Sequence, residues 1–488
     1  MRRPAPAAAG EPAAPGSGAL TAALAGTLAA ALLAACASPG GLAPGSRTLD
    51  AAALDVQRSL DEARLSPGDW PRQDWWTGFG DPQLDALVAD ALAHSPSLRE
   101  ARARTERAAA LAAAAGAALY PRVDAAADVN RQRYSANGIF PPPIAGAWYT
   151  QSQLSVSLSY EFDFWGRNRA ALDAALGQRR AAEVDAFAAR LLLAAGVAHA
   201  YVRVQRADDQ LDVARDSLAQ REGIVKLTRE RLRAGLDSRI DLRQAEASVP
   251  AAREQITRLR EERALACSLL AALLGAGPDR GLDITRPRMR PPPAAAPAKL
   301  PADLVGRRPD IVAERWRVEA AGHDIAAAKA AFYPNVNLAA LVGVQSVELD
   351  RLLRAGSAIP LVDAAVRLPI FEGGRLRAGL AERDAAYDIA VEQYNRTVVE
   401  ALREVVDQLT SLRSVDEQQQ QVGEASVAAG EAYALAARRY AAGLGSYLQV
   451  LSAQGQVLEQ QGLDADLRAR TLDLSVDLIR ALGGGFEQ

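Results

Sequence analysis

The chain contains two copies of one unit, and this duplication limits its possible architecture more than any other feature. The stretch "HSPSLREARARTERAAALAAAAGAALYPRVD" from His94 is matched by "RRPDIVAERWRVEAAGHDIAAAKAAFYPNVN" from Arg307. Further along, "FWGRNRAALDAA" pairs with "EGGRLRAGLAER", and "RERLRAGLDSRIDL" pairs with "ARRYAAGLGSYLQV". Matched landmarks stay about 208 to 213 residues apart and keep their order, which indicates an internal duplication.

Each copy predicts the same succession of elements. A helix of roughly 35 residues ends at a Tyr-Pro pair, because proline disfavours a helical conformation in the residue before it. Two alternating strands follow, then a proline-free helix of about 70 residues, a turn containing "AGL" and a return helix of about 36 residues. The strands are predicted at about 123–133 and 154–164 in the first copy, and at about 336–344 and 362–370 in the second.

The domain boundaries follow from these elements. The first copy is placed at 83–274 and the second at 302–482. Between them, 275–301 is a Pro/Gly-rich linker that is predicted to be non-helical. A lipid-anchored N-terminal segment is expected at 36–82 and a short C-terminal tail at 483–488.

The predicted helices are too long for an ordinary globular core. At 1.5 Å per residue a 70-residue helix is about 105 Å long, and an isolated helix would find no burial along most of it. The preceding and return helices together reach the same length, so laid end to end they would brace it. The alanine-rich composition favours helix and close helix–helix approach. Each unit is therefore predicted to be a helical rod, with strands at one end and a helical turn at the other.

The second strand of the first copy, "QSQLSVSLSYEFDFWGR", alternates almost without error between apolar and polar residues. Strands of about ten residues match the length needed to cross a bilayer when tilted. A half-buried strand of a soluble sheet is the alternative for this segment taken alone. Phe164 and Trp165 are predicted to end the strand in an interfacial aromatic girdle. The predicted lipid-facing residues are Leu154, Val156, Leu158, Tyr160 and Phe162, and the predicted lumen-facing residues are Ser155, Ser157, Ser159 and Glu161.

Four strands cannot close a barrel alone, because open edges in lipid would leave backbone groups unpaired. After the N-terminal signal no run of 18 apolar residues occurs, so any membrane crossing must use strands. Two chains would supply eight strands and three would supply twelve. Side chains fill an eight-stranded barrel, so a conducting pore favours the trimer.

The N-terminal sequence predicts a processing signal. Residues 1–35 contain two arginines and an apolar stretch of 17 residues from Ala19, which is right for a signal peptide and short for a membrane span. The stretch ends in "LAAC" and resembles a bacterial lipobox, in which Cys36 becomes the lipidated N-terminus. Ala37 after the cysteine implies transfer to the outer membrane. An ordinary secreted protein with a chance cysteine there is the alternative.

Other function classes find little support in the sequence. The formal net charge of −3 offers no basic footprint for nucleic acid. Two cysteines and three histidines leave almost nothing for a disulfide framework or a metal cluster. No cofactor is expected. Cys267 is predicted to be a small core residue. An enzyme and a periplasmic coiled-coil scaffold without a channel are the rival classes, but no catalytic or phosphate-binding motif is present.

Four motifs carry a family resemblance that covers the chain from about residue 70 to the end: "DWWTGFGDPQLDALV", "GRRPDIVAERWRVEAAGHDIAAAKAAFYPNVNL", "LPIFEGGRLRAGL" and "ALGGGF". With them the chain resembles the TolC-like outer membrane efflux factors, and within these the NodT-type lipoproteins of tripartite drug-efflux systems. The resemblance implies a mainly α protein with a membrane β-barrel. Three protomers would form a twelve-stranded barrel above a long periplasmic α-helical barrel. The tube would dock onto a periplasmic adaptor and an inner membrane exporter, and would conduct small molecules passively. A type I protein secretion channel is the alternative within the family.

The resemblance also implies two sites. The helical turns would contact the adaptor, and a periplasmic gate would lie on the long helix of the second copy, at Glu431, Leu435 and Arg438. The segment 423–443 contains no aspartate, so a ring of aspartates at the gate is not expected. The implied adaptor-contacting residues are Gly235, Leu236, Asp237 and Ser238 in the first copy and Gly443, Leu444, Gly445 and Ser446 in the second.

Overall fold

The computed structural model describes residues 40–56, 58–59, 66–293, 295–296 and 300–487. Cys36 and the predicted signal peptide lie outside the described residues. The chain forms two compact units, which we call the sheet unit and the helical unit. The sheet unit contains residues up to Gly45, Ala112–Ala175 and Ala321–Asp388, and the helical unit contains Ser46–Leu111, Leu176–Ala320 and Ile389–Gln488.

Eight α-helices and four long strands make up most of the described chain. A two-residue parallel pair, Ser66–Pro67 with Ala295–Ala296, adds a minor contact. None of the described helices is both long and apolar enough to cross a membrane. The first copy contains α1 (Pro82–His94), α2 (Pro96–Ala117), β1 (Arg122–Arg133), β2 (Trp148–Phe162), α3 (Arg167–Arg233) and α4 (Arg239–Leu273). The second contains α5 (Leu300–Arg307), α6 (Pro309–Ala330), β3 (Asn335–Ser346), β4 (Leu361–Arg367), α7 (Arg375–Ala441) and α8 (Tyr447–Ala481).

The long helices have almost the predicted lengths. Both α3 and α7 contain 67 residues, and both return helices contain 35. Pro250 lies within α4 without ending it. The prediction of one helix of roughly 35 residues before each Tyr-Pro pair was wrong. That segment is two helices in each copy, because Pro96 and Pro309 start a new helix and Ser95 before Pro96 is extended.

The prediction that the linker 275–301 cannot be helical was also wrong in part. A six-residue 3₁₀ helix, Pro278–Asp283, begins with its proline at the first helical position, where a missing N–H has no helical partner to lose. In addition, α5 begins at Leu300, inside the predicted linker.

The sheet has the order β1-β2-β3-β4, and all neighbouring pairs are antiparallel. Its strands differ from the predicted ones mainly in β2, which starts at Trp148 rather than about 154 and ends at Phe162. Phe164 and Trp165 therefore follow the strand. Trp165 stacks on Tyr333 with ring centroids 4.7 Å apart, and its Nε1 donates to the Pro334 carbonyl at 2.8 Å.

The register places apolar residues on one face of the sheet. Val156 lies opposite Val342 and Ala125, and residues directly opposite each other point to the same side. Leu154, Val156 and Phe162 are exposed, whereas Ser155 on the other face is buried. We call the first side the apolar face and the second the polar face. The apolar face also carries Val123, Val129, Leu158, Tyr160, Val336, Leu338, Val344, Val362 and Val366.

The core of the helical unit explains two of the sequence motifs. Trp75, Trp76 and Phe79 of "DWWTGFG" are buried in a cluster with residues of α1, α3, α4 and α8. Cys267 is buried in the same cluster, as predicted. In "ALGGGF", Gly484 has a φ of 57°, and a Cβ there would collide with Leu191. Only glycine permits both this backbone conformation and this close approach.

Candidate functional site: the two helical turns

The long and return helices of each copy are joined by a turn built on a left-handed glycine. Gly235 has a φ of 75° and Gly443 a φ of 78°. In each turn the residue after the glycine donates its N–H back into the preceding helix, Leu236 to the Arg231 carbonyl at 2.9 Å and Leu444 to the Arg439 carbonyl at 2.8 Å. This arrangement satisfies helix-end carbonyls and requires a residue that tolerates positive φ.

Each return helix then begins with a capping box. The Ser238 backbone N–H donates to Asp241 at 2.9 Å, and the Asp241 N–H donates to the Ser238 hydroxyl at 3.3 Å. The side-chain and backbone hydrogen bonds from Ser238 lower the pKa of the Asp241 carboxyl. Ser446 and Gln449 form the same box in the second copy. The helix-end and capping groups of the turns are thus satisfied within the protomer.

The turns nevertheless expose large apolar side chains at equivalent positions. Leu236 is 62% exposed and its counterpart Leu444 is 72% exposed. One helical turn further on, Ile240 and Leu448 are also exposed. The four aliphatic side chains therefore recur in both copies at the same places, on turns whose backbone is well ordered by its own hydrogen bonds.

A buried polar network joins the two turns. Arg231 donates two hydrogen bonds of 3.0 Å to the carboxylate of Asp237 and one of 2.6 Å to the Tyr440 carbonyl. The Tyr440 hydroxyl donates to the same carboxylate, and the hydroxyl of Thr228 lies 2.8 Å from the phenol oxygen. Burial is the main cause that raises the pKa of Tyr440, to about 12, so the phenol remains a donor.

This network is asymmetric between the copies, and sequence reasoning missed it. The residue of the second copy that corresponds to Asp237 is Gly445, and Tyr440 corresponds to Leu232 in the first copy. Of the network only Asp237 was a predicted site residue, and as an adaptor contact; its side chain is buried instead against Arg231. A comparison of the two repeats could have revealed the network, since Asp237 stands where the other copy has Gly445, and Tyr440 stands where the other copy has Leu232.

The three predicted gate residues share one exposed stripe of α7. Glu431, Leu435 and Arg438 are spaced by four and three residues, so they lie on one face of the helix, and all three are exposed. Within the described part of the chain, the Arg438 side chain donates to the Ala434 carbonyl, one turn earlier, at 3.2 Å. The stripe lies on the same helix as the Gly443 turn and ends five residues before it.

A second polar cluster was also missed from the sequence. His199 of α3 approaches two carboxylates of α8, with Nδ1 2.7 Å from Asp473 and Nε2 3.4 Å from Asp477. Burial alone would lower the pKa of this imidazole, but the two carboxylates raise it to about 9. The same contact lowers the pKa of Asp477, against the opposing effect of its burial. The cluster therefore forms an ion pair that ties the long helix of one copy to the return helix of the other.

Comparisons with known proteins agree with this architecture. The family model described as "Outer membrane efflux protein" matches residues 87–276 and 300–484, more than half of the chain. The fusaric acid resistance protein FusA of Burkholderia cepacia is 40% identical over 370 residues, which cover 74% of this chain and 70% of that protein. The multidrug resistance outer membrane protein MdtP of Escherichia coli K12 is 32% identical over 368 residues, covering 74% and 75%. The outer membrane protein VceC of Vibrio cholerae has a structure that matches with a TM-score of 0.80 and 36% identity, over 86% of this chain and 100% of that one.

The chain belongs to the outer membrane efflux protein family. It is an outer membrane channel that forms the exit duct of a tripartite efflux pump. It works as a homotrimer with a periplasmic adaptor and an inner membrane exporter, and it extends from the outer membrane into the periplasm. Three protomers complete the β-barrel to which each contributes four strands, so the predicted fold class and trimer are confirmed.

Proposed function

We propose that the turns around Gly235 and Gly443 form the surface on which the periplasmic adaptor docks. The observation that carries this proposal is the recurrence of four exposed aliphatic side chains, two in each turn, beside backbone groups that are already satisfied. A large apolar side chain exposed on a rigid turn stabilises nothing within the protomer, whereas it contributes to binding when a partner covers it. The tight turn is needed because it holds these side chains at the end of the hairpin.

The roles within each turn differ. Leu236 and Leu444 supply contact area, while Gly235 and Gly443 supply the backbone shape. Ser238 and Ser446 cap the return helices. Asp237 acts within the protomer through its ion pair with Arg231. Gly445 avoids a close contact with Tyr440, because a Cβ at this position would lie 3.3 Å from the Tyr440 backbone nitrogen.

The double variant Leu236→Ser/Leu444→Ser tests the docking proposal. We expect a trimer of normal yield whose crosslinking to the adaptor falls about ten-fold, with a matching loss of drug export, because two apolar contacts are removed from the interface. Leu353→Ser is the control, since it removes a leucine that is even more exposed, from a loop between strands. Normal crosslinking in the double variant would rule out the turns as the docking surface.

We also propose that Glu431, Leu435 and Arg438 line the periplasmic gate. The support is their shared, exposed stripe on α7 close to the turn, which leaves them free to meet the equivalent residues of the other protomers. Leu435→Ser should raise the resting conductance of the trimer in planar bilayers. Leu463→Ser on α8 is the control for loss of an exposed leucine. A resting conductance equal to that of the control would remove this stripe from the gate.

The N-terminal assignments complete the proposal. The signal peptide 1–35 is removed, Cys36 is lipidated, and the segment 36–82 links the anchor to the first repeat at 83–274. The second repeat is placed at 302–482 after the linker 275–301. Intact-mass analysis of the mature protein tests this: Cys36→Ser should lack the mass of the acyl groups, and an unmodified wild-type N-terminus would exclude the lipid anchor.

The cargo proposed for the duct is a small molecule that passes without chemical change, so the chain is not an enzyme. The support is the likeness to relatives named for fusaric acid resistance and multidrug resistance. Deletion of the gene should sensitise the host to such compounds, and should leave secretion of large proteins intact. A selective loss of protein secretion would instead favour the type I secretion alternative.

A further inference from the structure

The apolar face of the sheet carries charge at one end only. Among the described residues of the four strands, the charged side chains on this face are Arg131 and Arg133, and no carboxylate shares the face with them. The polar face, in contrast, carries both signs, for example Asp128, Glu161 and Arg367. The two arginines lie at the loop end of β1, away from the helices.

The second copy does not repeat this pair. The residues that correspond to Arg131 and Arg133 are Val344 and Ser346. The pair is therefore a feature of β1 and not a consequence of the duplicated architecture.

The surroundings of the pair leave its donors available. Arg131 lies opposite Thr150 and is exposed, without an ion-pair partner in the described part of the chain. Arg133 lies opposite Trp148, and its Nε donates to the Gly146 carbonyl at 3.0 Å, which orients the guanidinium. Trp148 is itself mostly exposed on the same face. An exposed indole beside two cations is typical of a membrane–water interface.

We propose that Arg131 and Arg133 bind the phosphate groups of lipopolysaccharide in the outer leaflet of the outer membrane. The inference rests on the membrane placement of the channel, which extends from the outer membrane into the periplasm. Within the sheet unit, β1 follows α2 at Arg122 and enters the strand-connecting loop after Arg133, so we assign the loop end to the outer leaflet. Arginines at that level of a lipid-facing surface meet the phosphates of the outer leaflet. A guanidinium pairs with phosphate through two parallel hydrogen bonds, and the absence of carboxylates on this face leaves that pairing without competition.

Native mass spectrometry of detergent-purified trimers, titrated with diphosphoryl lipid A, tests the proposal. For Arg131→Ala/Arg133→Ala we expect about thirty-fold weaker binding, since each interfacial cation contributes to the attraction of anionic lipid. Arg351→Ala/Arg354→Ala is the matched control: it removes two arginines from the loop between β3 and β4, where both are ion-paired, and should bind as the wild type does. Arg131→Lys/Arg133→Lys keeps the charge but loses the two parallel hydrogen bonds, so it should bind lipid A more weakly than the wild type and more tightly than the alanine variant. If the alanine variant fails to assemble, binding by the lysine variant equal to that of the wild type would overturn the role of the two guanidinium groups.

Two further measurements distinguish lipopolysaccharide from other phosphate-bearing lipids, and distinguish a failure of the lipid proposal from a failure of the channel function. Phosphatidylglycerol should bind more weakly than lipid A, and equal binding would overturn the assignment to lipopolysaccharide. Binding of lipid A that is unchanged in the alanine variant, or lost equally in the loop control, would overturn the role of the pair. Conductance is measured on the same trimers: a wild-type trimer that does not conduct would count against the channel function itself, whatever its lipid binding.

Discussion

The guanidinium of Arg231 lies 4.4 Å from the ring centroid of Tyr440, although the two residues come from different copies of the repeat. The contact is reinforced by the bond from Arg231 to the Tyr440 carbonyl and by the shared carboxylate of Asp237. The two hairpins of one protomer are therefore linked at their turns by an interaction that neither copy could form with its own residues.

Arg231→Ala should loosen both turns. It leaves the buried carboxylate of Asp237 without its ion pair, a change that costs about 3 kcal/mol in comparable sites. We expect hydrogen exchange in 232–240 and 440–446 to accelerate about a hundred-fold, with unchanged exchange in the sheet. Arg439→Ala, the equivalent position in the second copy, is the control, because Arg439 is exposed and, among the residues that the structure describes, its side chain donates to the Leu444 carbonyl at 3.3 Å. Equal acceleration in both variants would contradict a special role for Arg231.

Gly443→Trp should preserve trimer assembly and abolish export. A tryptophan at a φ of 78° strains the turn by about 1 kcal/mol and places a large ring at the proposed docking surface. Export is measured by drug susceptibility and assembly by the trimer band of the outer membrane fraction. Gly462→Trp, in open space on α8 far from the turn, is the control for bulk. Normal drug resistance in Gly443→Trp would remove this turn from the docking surface.

Val156→Lys should prevent stable insertion of the barrel. Val156 lies on the apolar face opposite Val342, and a lysine at mid-membrane depth on the lipid side costs about 2–4 kcal/mol. The same charge at Ser157, one residue later on the polar face, should be tolerated. Outer membrane fractionation after mild extraction measures the difference. If the lysine at position 157 proved the more damaging, the two faces of the sheet would have been assigned the wrong way round.

Because of the ion pair of His199, the trimer should become less stable as the pH rises into the alkaline range. Its pKa is raised from 6.5 to about 9, so the contribution to stability is fully present below pH 6.5 and is lost as the pH rises through about 9. His199→Gln should therefore lower the melting temperature of the trimer at neutral pH and have little effect above that upper value. Allowing for solvent screening, the loss is about 1–2 kcal/mol.

His94→Gln provides the control for this experiment. His94 is exposed and contacts Asp90 one turn earlier on its own helix, an arrangement that contributes little to stability. A pH profile of His199→Gln parallel to that of the wild type would show that the pair with Asp473 and Asp477 does not stabilise the trimer.

The sequence alone determined the repeated order of elements, the lengths of the long helices and the existence of four amphipathic strands. These are local properties: hydrophobic periodicity, helix propensity and the turn chemistry of glycine act over a few residues, so they can be read along the chain. Prediction from local sequence was wrong where two signals compete. At Pro96 and Pro309 one helix ends and another begins, where a single helix was predicted.

Only the tertiary structure decided which residues from distant segments meet. Arg231 with Tyr440, His199 with Asp473, and the alignment of Arg131 and Arg133 with an apolar face free of carboxylates all depend on register and on packing between elements far apart in sequence. Such pairings depend on the shapes and charges of both contacting surfaces. A single sequence shows the residues of each surface but not which other surface they contact. The turns illustrate both what the sequence determined and what the tertiary structure decided. The spacing of the glycines located the turns in the sequence, whereas the packing of the two hairpins buried Asp237 and left Leu236 exposed.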